Sequence, residues 1–242
     1  MVLQVKGLEN YYGGKGGSGT YQTIINYIPP HDIYIEPFLG SGAIMRYKLP
    51  APLQNIGIDL DVQVIYLWNQ TIKEKQLASF DVMDGDGIEY LRKLKTGKIF
   101  FPSWTKVFIY LDPPYLVKSR RDQRDVYLFE MEEISHIKLL ENITCINKYK
   151  IAISCYENDL YKDFLKDWNC IKFNSTTRHG TATEFLYMNY KSPGRLHDYR
   201  YLGKDFRERE RIKNKIRRHV NRLKSLPVLE RKAILNAFLE LS

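Results

Sequence analysis

The chain has 242 residues, 44% of them apolar and 27% charged, with a formal net charge of +9, which suits one sizeable α/β domain with a small appendage. No run of 18 apolar residues occurs and the N-terminus lacks the basic-then-apolar layout of a signal peptide, which argues against membrane spanning and classical secretion. Cys145, Cys155 and Cys170 are odd in number and have no CxxC spacing, as expected of a reduced intracellular protein with neither a disulfide framework nor structural zinc.

The first informative stretch is residues 11–20, five glycines and a lysine ahead of the apolar pattern Ile24 to Ile28. Glycines let a backbone lie against a ligand, but without a Lys-Ser/Thr pair this is no Walker A loop. Ile33 to Ile35 read as a short buried strand, and Gly40-Ser41-Gly42 as the turn that opens a helix through Tyr47. Glycines between a strand and a helix allow a cofactor to approach the helix start. The second unit, Asn55 to Asp59, ends on an acid seventeen residues after Gly42, near where nucleoside sites place a ribose-binding carboxylate. Asp59 and Asp61 also suit the start of the next helix, which carries Val62, Ile65 and Tyr66. Ser79 to Asp86 supply a third strand and turn, and a helix over Gly87 to Lys95 follows, with Ile88, Leu91 and Leu94 on one stripe.

Val107-Phe108-Ile109-Tyr110-Leu111 is an unbroken apolar and aromatic run, the pattern of a strand buried on both faces. Pro113 and Pro114 must end it, since neither has an N–H for a ladder, so Asp112 and Tyr115 fall at a strand's carboxyl end, where open α/β sheets keep their sites. A basic loop with Lys118, Arg120, Arg121 and Arg124 leads to a helix from about Met131 to Ile143. Tyr149 to Tyr156 form a fifth strand, and Leu160 to Trp168 a short helix. Ile171 to Phe173 and Glu184 to Tyr190 are predicted as a closing hairpin around a polar turn, Ser175 to Thr181. Alternating strands and helices of these lengths imply a Rossmann-like α/β fold: a mostly parallel seven-stranded sheet with helices on both faces. Pro193-Gly194 marks a boundary between a domain of residues 1–192 and a basic helical extension, 193–242. There Phe206 to Leu223 and Leu226 to Leu241 read as two helices, separated near Pro227. Residues 204–232 carry twelve Lys/Arg against four Asp/Glu, which favours a polyanionic partner, nucleic acid ahead of a membrane surface. No metal-ligand spacing and no triad context appears; His31, His136 and His219 read as ordinary surface or helix residues.

The order of these motifs, Glu36-Pro37-Phe38-Leu39-Gly40-Ser41-Gly42 before Asp112-Pro113-Pro114-Tyr115, resembles the Dam-like (D12) adenine-N6 DNA methyltransferases, from about Tyr11 to Tyr190. The resemblance implies S-adenosylmethionine as cofactor, S-adenosylhomocysteine as product and no metal. It assigns Tyr11, Tyr12 and Lys15 to the methionine end, with Pro37, Phe38, Gly40, Ser41 and Gly42 around the same moiety. Asp59 matches the ribose acid and Asp86 the acidic turn beside the cofactor adenine. Asp112 and Pro113 match the acceptors that hold the target amine, where the cofactor also ends, Pro114 the rest of the tetrapeptide, and Tyr115 the residue that stacks on a flipped base. Thr177 and Arg178 match a late turn near the pocket.

The implied activity is methyl transfer to adenine N6 in double-stranded DNA, in the cytoplasm of a prokaryote or from a phage genome, as an orphan enzyme or within a restriction-modification pair. RNA adenine methylation and a non-catalytic nucleic-acid-binding module are the alternatives. The chain departs from many Dam-like enzymes in one respect: only twenty-five residues separate Asp86 from Asp112, too few for a recognition domain. Sequence reading then falls to the Lys118 to Arg124 loop, to the basic helices, or to a separate specificity protein or second subunit, or it is weak. Arg178, Arg207, Arg211, Lys215, Arg218 and Arg222 complete the expected nucleic-acid contacts, mostly to phosphates.

Overall fold

The computed structural model describes residues 2–8, 14–17, 19–120, 128–177 and 180–240. By compactness the chain divides into Met1–Tyr199 and Arg200–Ser242, a few residues beyond the predicted 192/193 boundary. The intervening segment is tied to the first unit: the Asp198 carboxylate accepts from Leu49 N, His197 N donates to Ile28 O, and the His197 ring stacks on His31 with centroids 3.8 Å apart.

The first unit alternates strand and helix: α1 (Thr20–Ile25), β1 (Ile33–Glu36), α2 (Ala43–Tyr47), β2 (Gln54–Asp59), α3 (Val62–Lys75), β3 (Phe80–Asp84), α4 (Gly87–Lys95), β4 (Val107–Leu111), α5 (Glu133–Thr144), β5 (Lys150–Cys155), α6 (Asp159–Phe164), β6 (Asn169–Thr177) and β7 (Gly180–Met188). Side-chain caps explain several helix starts: Asp61 accepts from Gln63 N ahead of α3, Asp86 from Ile88 N ahead of α4, and Asn158 from Tyr161 N ahead of α6.

The strands form one seven-stranded sheet in the order β3-β2-β1-β4-β5-β7-β6, parallel except where β7 runs against both β5 and β6. Every residue of β1 and β4 is buried, as strands covered on both faces require. One face carries Ile33, Ile35, Ile109 and Leu111 in a core with Leu91, Leu139 and Leu140. The other is aromatic, with Phe108 and the hydroxyl-bearing Tyr34 and Tyr110, and Tyr110 is satisfied by Ser154 Oγ at 2.8 Å. The chain reverses direction across the sheet between β1 and β4. A switch point of this kind opens a crevice at the strands' carboxyl ends, and Glu36 and Asp112 are the acids that stand there.

Three expectations need correction. The polar turn predicted from Ser175 to Thr181 is too long, because β6 and β7 continue through it to the pairs Thr176↔Thr181 and Thr177↔Gly180. The helix predicted from Leu160 to Trp168 ends at Phe164. His31 is neither a surface nor a helical residue: it precedes β1 at 4% exposure, with Nδ1 2.8 Å from Pro29 O, and burial holds its pKa well below the usual imidazole value.

The second unit contains α7 (Phe206–Lys224) and α8 (Val228–Leu239). Asp205 caps α7 by accepting from Glu208 N, and i,i+3 pairs join Glu208 to Arg211 and Glu210 to Lys213. Arg207, Arg211, Lys215, Arg218 and Arg222 recur at helical spacing and share one stripe of α7.

Candidate active site

The cleft at the switch point encloses about 880 Å³ between protein atoms, part of it open to solvent, and is lined by Gly14, Lys15, Glu36 to Ser41, Asp59, Leu60, Gly87, Asp112, Pro114 and Leu128 to Met131. One wall is the β1–α2 turn. Gly40 (φ +46°) and Gly42 (φ +59°) are left-handed, which glycine adopts at no steric cost. A Cβ on Gly42 would also stand 2.3 Å from Trp68 Cζ2. The turn is pinned to β2: Gly40 N donates to Asp59 Oδ2 at 2.6 Å, and Asp61 N to Asp59 Oδ1 at 2.9 Å. The two readings of this acidic pair therefore separate, with Asp61 capping the helix and Asp59 lining the cleft. Burial raises the Asp59 pKa and these backbone donors pull it back.

Gly87 completes this wall. A Cβ there would fall 2.1 Å from Pro37 O, so α4 starts in backbone contact with the end of β1. Asp86 turns its carboxylate onto the helix it caps, and its neighbour Gly87 is the residue that lines the cleft.

The floor holds the charged groups. Asp112 Oδ1 is 2.8 Å from Lys15 Nζ, and the same ammonium is 3.7 Å from Glu184 Oε2 and 4.7 Å from the centre of the Tyr115 ring. Tyr115 OH donates to Glu184 Oε2 at 2.8 Å, and Tyr156 meets the Tyr115 ring edge-on at 4.6 Å. Burial raises the Asp112 pKa, and the Lys15 charge lowers it again. Glu36, at 2% exposure, accepts from Tyr34 OH and from Met45 N. Its pKa rises to about 8, chiefly through burial, with the Asp112 charge adding to it.

Of the predicted site residues, Lys15, Pro37, Phe38, Gly40, Ser41, Asp59, Asp112 and Pro114 come together around one cleft; Gly42 ends the turn that forms its wall, and Pro113 is buried between two lining residues. Tyr11, Tyr12, Arg121, Arg124 and Arg178 lie outside the described residues. Two assignments change. Tyr115 does not present a free ring for stacking: it is 5% exposed, its hydroxyl is bound to Glu184, and Lys15 lies over its face. Arg120 is no exposed phosphate contact: at 8% exposure its Nε donates to Tyr115 O at 2.6 Å, and its terminal nitrogens donate to both Glu130 oxygens at 2.8 and 2.6 Å. A bidentate pair of this kind fixes geometry. Lys118 remains exposed and pairs with Glu133.

Sequence reading missed Glu36, Glu184, Glu130, Leu128 and Phe129. An acid ending a buried strand signalled Glu36, and one abutting the apolar run Phe185 to Met188 signalled Glu184. Among the described residues no His/Cys/Asp/Glu cluster could hold a metal, and no helix is long and apolar enough to cross a membrane.

The sequence of residues 11–96 matches the D12 class of N6 adenine-specific DNA methyltransferases. No curated protein sequence matches the chain. Among solved structures it is similar to a dimethyladenosine transferase from Plasmodium falciparum, at 14% identity over 70% of this chain and 60% of that one with a TM-score of 0.45. It is similar also to TrmN from Thermus thermophilus, at 16% identity over 69% and 46% with a TM-score of 0.44. A third is precorrin-6y C5,15-methyltransferase from Geobacter metallireducens, at 10% identity over 71% and 86% with a TM-score of 0.41. With its sheet order and the match over its first part, the chain has the class I, Rossmann-like fold of S-adenosylmethionine-dependent methyltransferases and is distantly related to the D12 class.

Proposed function

We propose that the protein transfers a methyl group from S-adenosylmethionine to the N6 amine of adenine in DNA. The observation that carries the reading is that Asp112 and Pro114, just after β4, line one cleft with the left-handed β1–α2 turn and Asp59. The donor set suits the cofactor. Asp59 keeps acceptor capacity for ribose hydroxyls beyond its two backbone donors, the Gly87 contact leaves the wall free of side chain, and Phe38 and Leu60 offer apolar surface. When bound, S-adenosylmethionine supplies an electrophilic methyl group on a sulfonium sulfur.

The protein's own residues then have a limited task. Adenine N6 is a weak nucleophile because its lone pair is delocalised into the ring. The Asp112 carboxylate and the Pro113 carbonyl can each accept one N–H, favouring a pyramidal nitrogen whose lone pair points along the attack direction; proline offers an acceptor and no donor. The carboxylate also favours the positive charge that grows on nitrogen, and the remainder is positioning. Reaching N6 in a duplex requires extruding the base, at a cost of a few kcal/mol. Leu128 and Phe129, exposed at the cleft mouth, are apolar surfaces able to receive it. The basic stripe of α7 would contribute phosphate contacts.

Transfer of tritiated methyl from S-adenosylmethionine to duplex DNA and to RNA, with digestion to nucleosides, tests this reading. Label is expected in N6-methyldeoxyadenosine, and Asp112→Ala should slow its appearance on the order of 10²–10³-fold, the usual effect of removing one preorganised charge-stabilising group. RNA enters the test because α4 and one connector fill the interval where many relatives carry a recognition insertion. Label in RNA alone would overturn the DNA assignment, and label in neither, with cofactor bound, would overturn the enzyme.

A further inference from the structure

The ammonium of Lys15 sits where an acceptor amine is needed. It lies on the Asp112 carboxylate at 2.8 Å and over the Tyr115 ring at 4.7 Å, and an exocyclic amine entering the same site would use both contacts. Asp112 has lone pairs enough for both, but positive charge grows on the amine during transfer and a neighbouring ammonium repels it, so acceptor and Lys15 compete for the place beside Asp112. Lys15 is 6% exposed, and a buried ammonium separated from its carboxylate is strongly disfavoured. A second carboxylate is already in place: Glu184 Oε2 stands 3.7 Å from the same nitrogen and is 3% exposed. Closing that gap asks for a movement of roughly 1 Å, to ordinary charge-assisted contact, within reach of a four-carbon side chain.

We infer that Glu184 is the alternate counter-ion of Lys15, taking the ammonium when an acceptor amine occupies Asp112. This rests on the proposed methyl-transfer reading and adds a positioning residue to it. Glu184 touches neither the amine nor the methyl group; it gives the ammonium a carboxylate while Asp112 holds the amine. It holds Tyr115 OH through the same Oε2, so a charge role must be separated from a scaffolding role.

Two sets of variants do this. Glu184→Gln keeps an oxygen acceptor for Tyr115 OH and removes the charge, whereas Tyr115→Phe removes the hydrogen bond and keeps the charge. With the polymer the wild-type chain methylates, Glu184→Gln should raise KM for acceptor about tenfold or more, leave affinity for S-adenosylmethionine within twofold, and change kcat less than KM. In a Lys15→Met background the same substitution should leave KM unmoved. An unchanged KM in Glu184→Gln, or an equal rise in the Lys15→Met background, overturns the inference, as does a Tyr115→Phe effect as large as that of Glu184→Gln.

A second measurement needs no substrate. In urea unfolding, Asp112→Asn and Glu184→Gln combined should lower the folding equilibrium constant at least tenfold beyond the product of the single effects, because Lys15 then has neither carboxylate. In the Lys15→Met background the effects should multiply simply. Simple multiplication in both backgrounds overturns the inference whatever the wild-type chain methylates. A wild-type chain that methylates nothing overturns the functional reading, while this cycle still decides the Lys15 pairing.

Discussion

Glu36 is held neutral by its surroundings. Its carboxyl is removed from water and has Asp112 as a like charge nearby, so its pKa moves from 4.5 to about 8. The folded protein then holds this proton more tightly than the unfolded chain does. The stabilisation is complete below pH 4.5 and is lost as pH rises through about 8. Lys48 has the opposite sense: burial brings it from 10.5 to about 7, so its contribution is complete above pH 10.5 and is lost as pH falls through 7. Between pH 5 and 7 the Glu36 effect acts without opposition. Glu36→Gln keeps an oxygen acceptor for Tyr34 OH and Met45 N and removes the titration. Its stability relative to the parent should rise by on the order of 2–3 kcal/mol from pH 5 to pH 9, below the ceiling set by about 1.4 kcal/mol per pKa unit. Urea melts at the two pH values check this, and a pH-independent difference refutes it. At this scale the sequence was legible for residues inside motifs, such as Asp59 and Asp112, because strand ends and glycine turns mark them locally. Glu184 left only a faint local mark, an acid abutting an apolar run, and that mark does not give its role. Its meaning comes from Tyr115 and Lys15, which are remote in sequence and meet it only after β7 inserts antiparallel beside β5.

Elements were easier to read than contacts, and the reasons are visible in particular cases. Gly87 to Lys95 is helical over the predicted span because an Asp cap and an apolar stripe agree there. The Ser175 to Thr181 turn was read too long because Ser and Thr signal turns when they cluster, yet Thr also favours extended backbone; pairing along the hairpin decided in favour of strand up to Thr177 and from Gly180. Backbone contact between elements leaves the faintest trace in sequence. Gly87 could be taken for a helix start, whereas its space is set by Pro37 O, 2.1 Å from where a Cβ would lie. Gly87→Ala should therefore force α4 or the β1–α2 turn to shift. Overpacking of this kind costs about 1–3 kcal/mol, against up to about 1 kcal/mol gained from alanine in a helix. A net loss near 1–2 kcal/mol is expected, together with weaker S-adenosylmethionine binding, because Pro37 and Gly87 line the same cleft. Thermal melts and calorimetric titration check both effects, and a variant as stable as the parent would remove the close-approach account of this glycine.

At the scale of the whole chain, charge is distributed between two units of different character. Met1–Tyr199 carries the sheet and the cleft, whereas Arg200–Ser242 carries α7, with nine Lys/Arg against two Glu. A polyanion bound through α7 should reveal itself in salt dependence more than in affinity at any one condition, since each neutralised phosphate adds about −0.9 to the slope of log K against log salt. Replacing Arg207, Arg211, Lys215, Arg218 and Arg222 by Gln removes the stripe. It keeps a good helix former at every position and leaves Asp205 to cap the helix. If all five contact phosphate, the slope should become shallower by about 4.5, with duplex affinity near physiological salt falling in step. S-adenosylmethionine affinity should not change, because no residue lining the cleft is touched. Fluorescence anisotropy on one duplex across a salt series measures the slope. The same variant tried on duplexes of different sequence asks a second question. Uniform weakening marks α7 as a phosphate contact, leaving base reading to other residues or to a partner, whereas loss confined to some sequences would mean that α7 reads bases. An unchanged slope would show that the charge of the second unit is not the nucleic-acid footprint, and the search would move to Lys118 and the cleft rim.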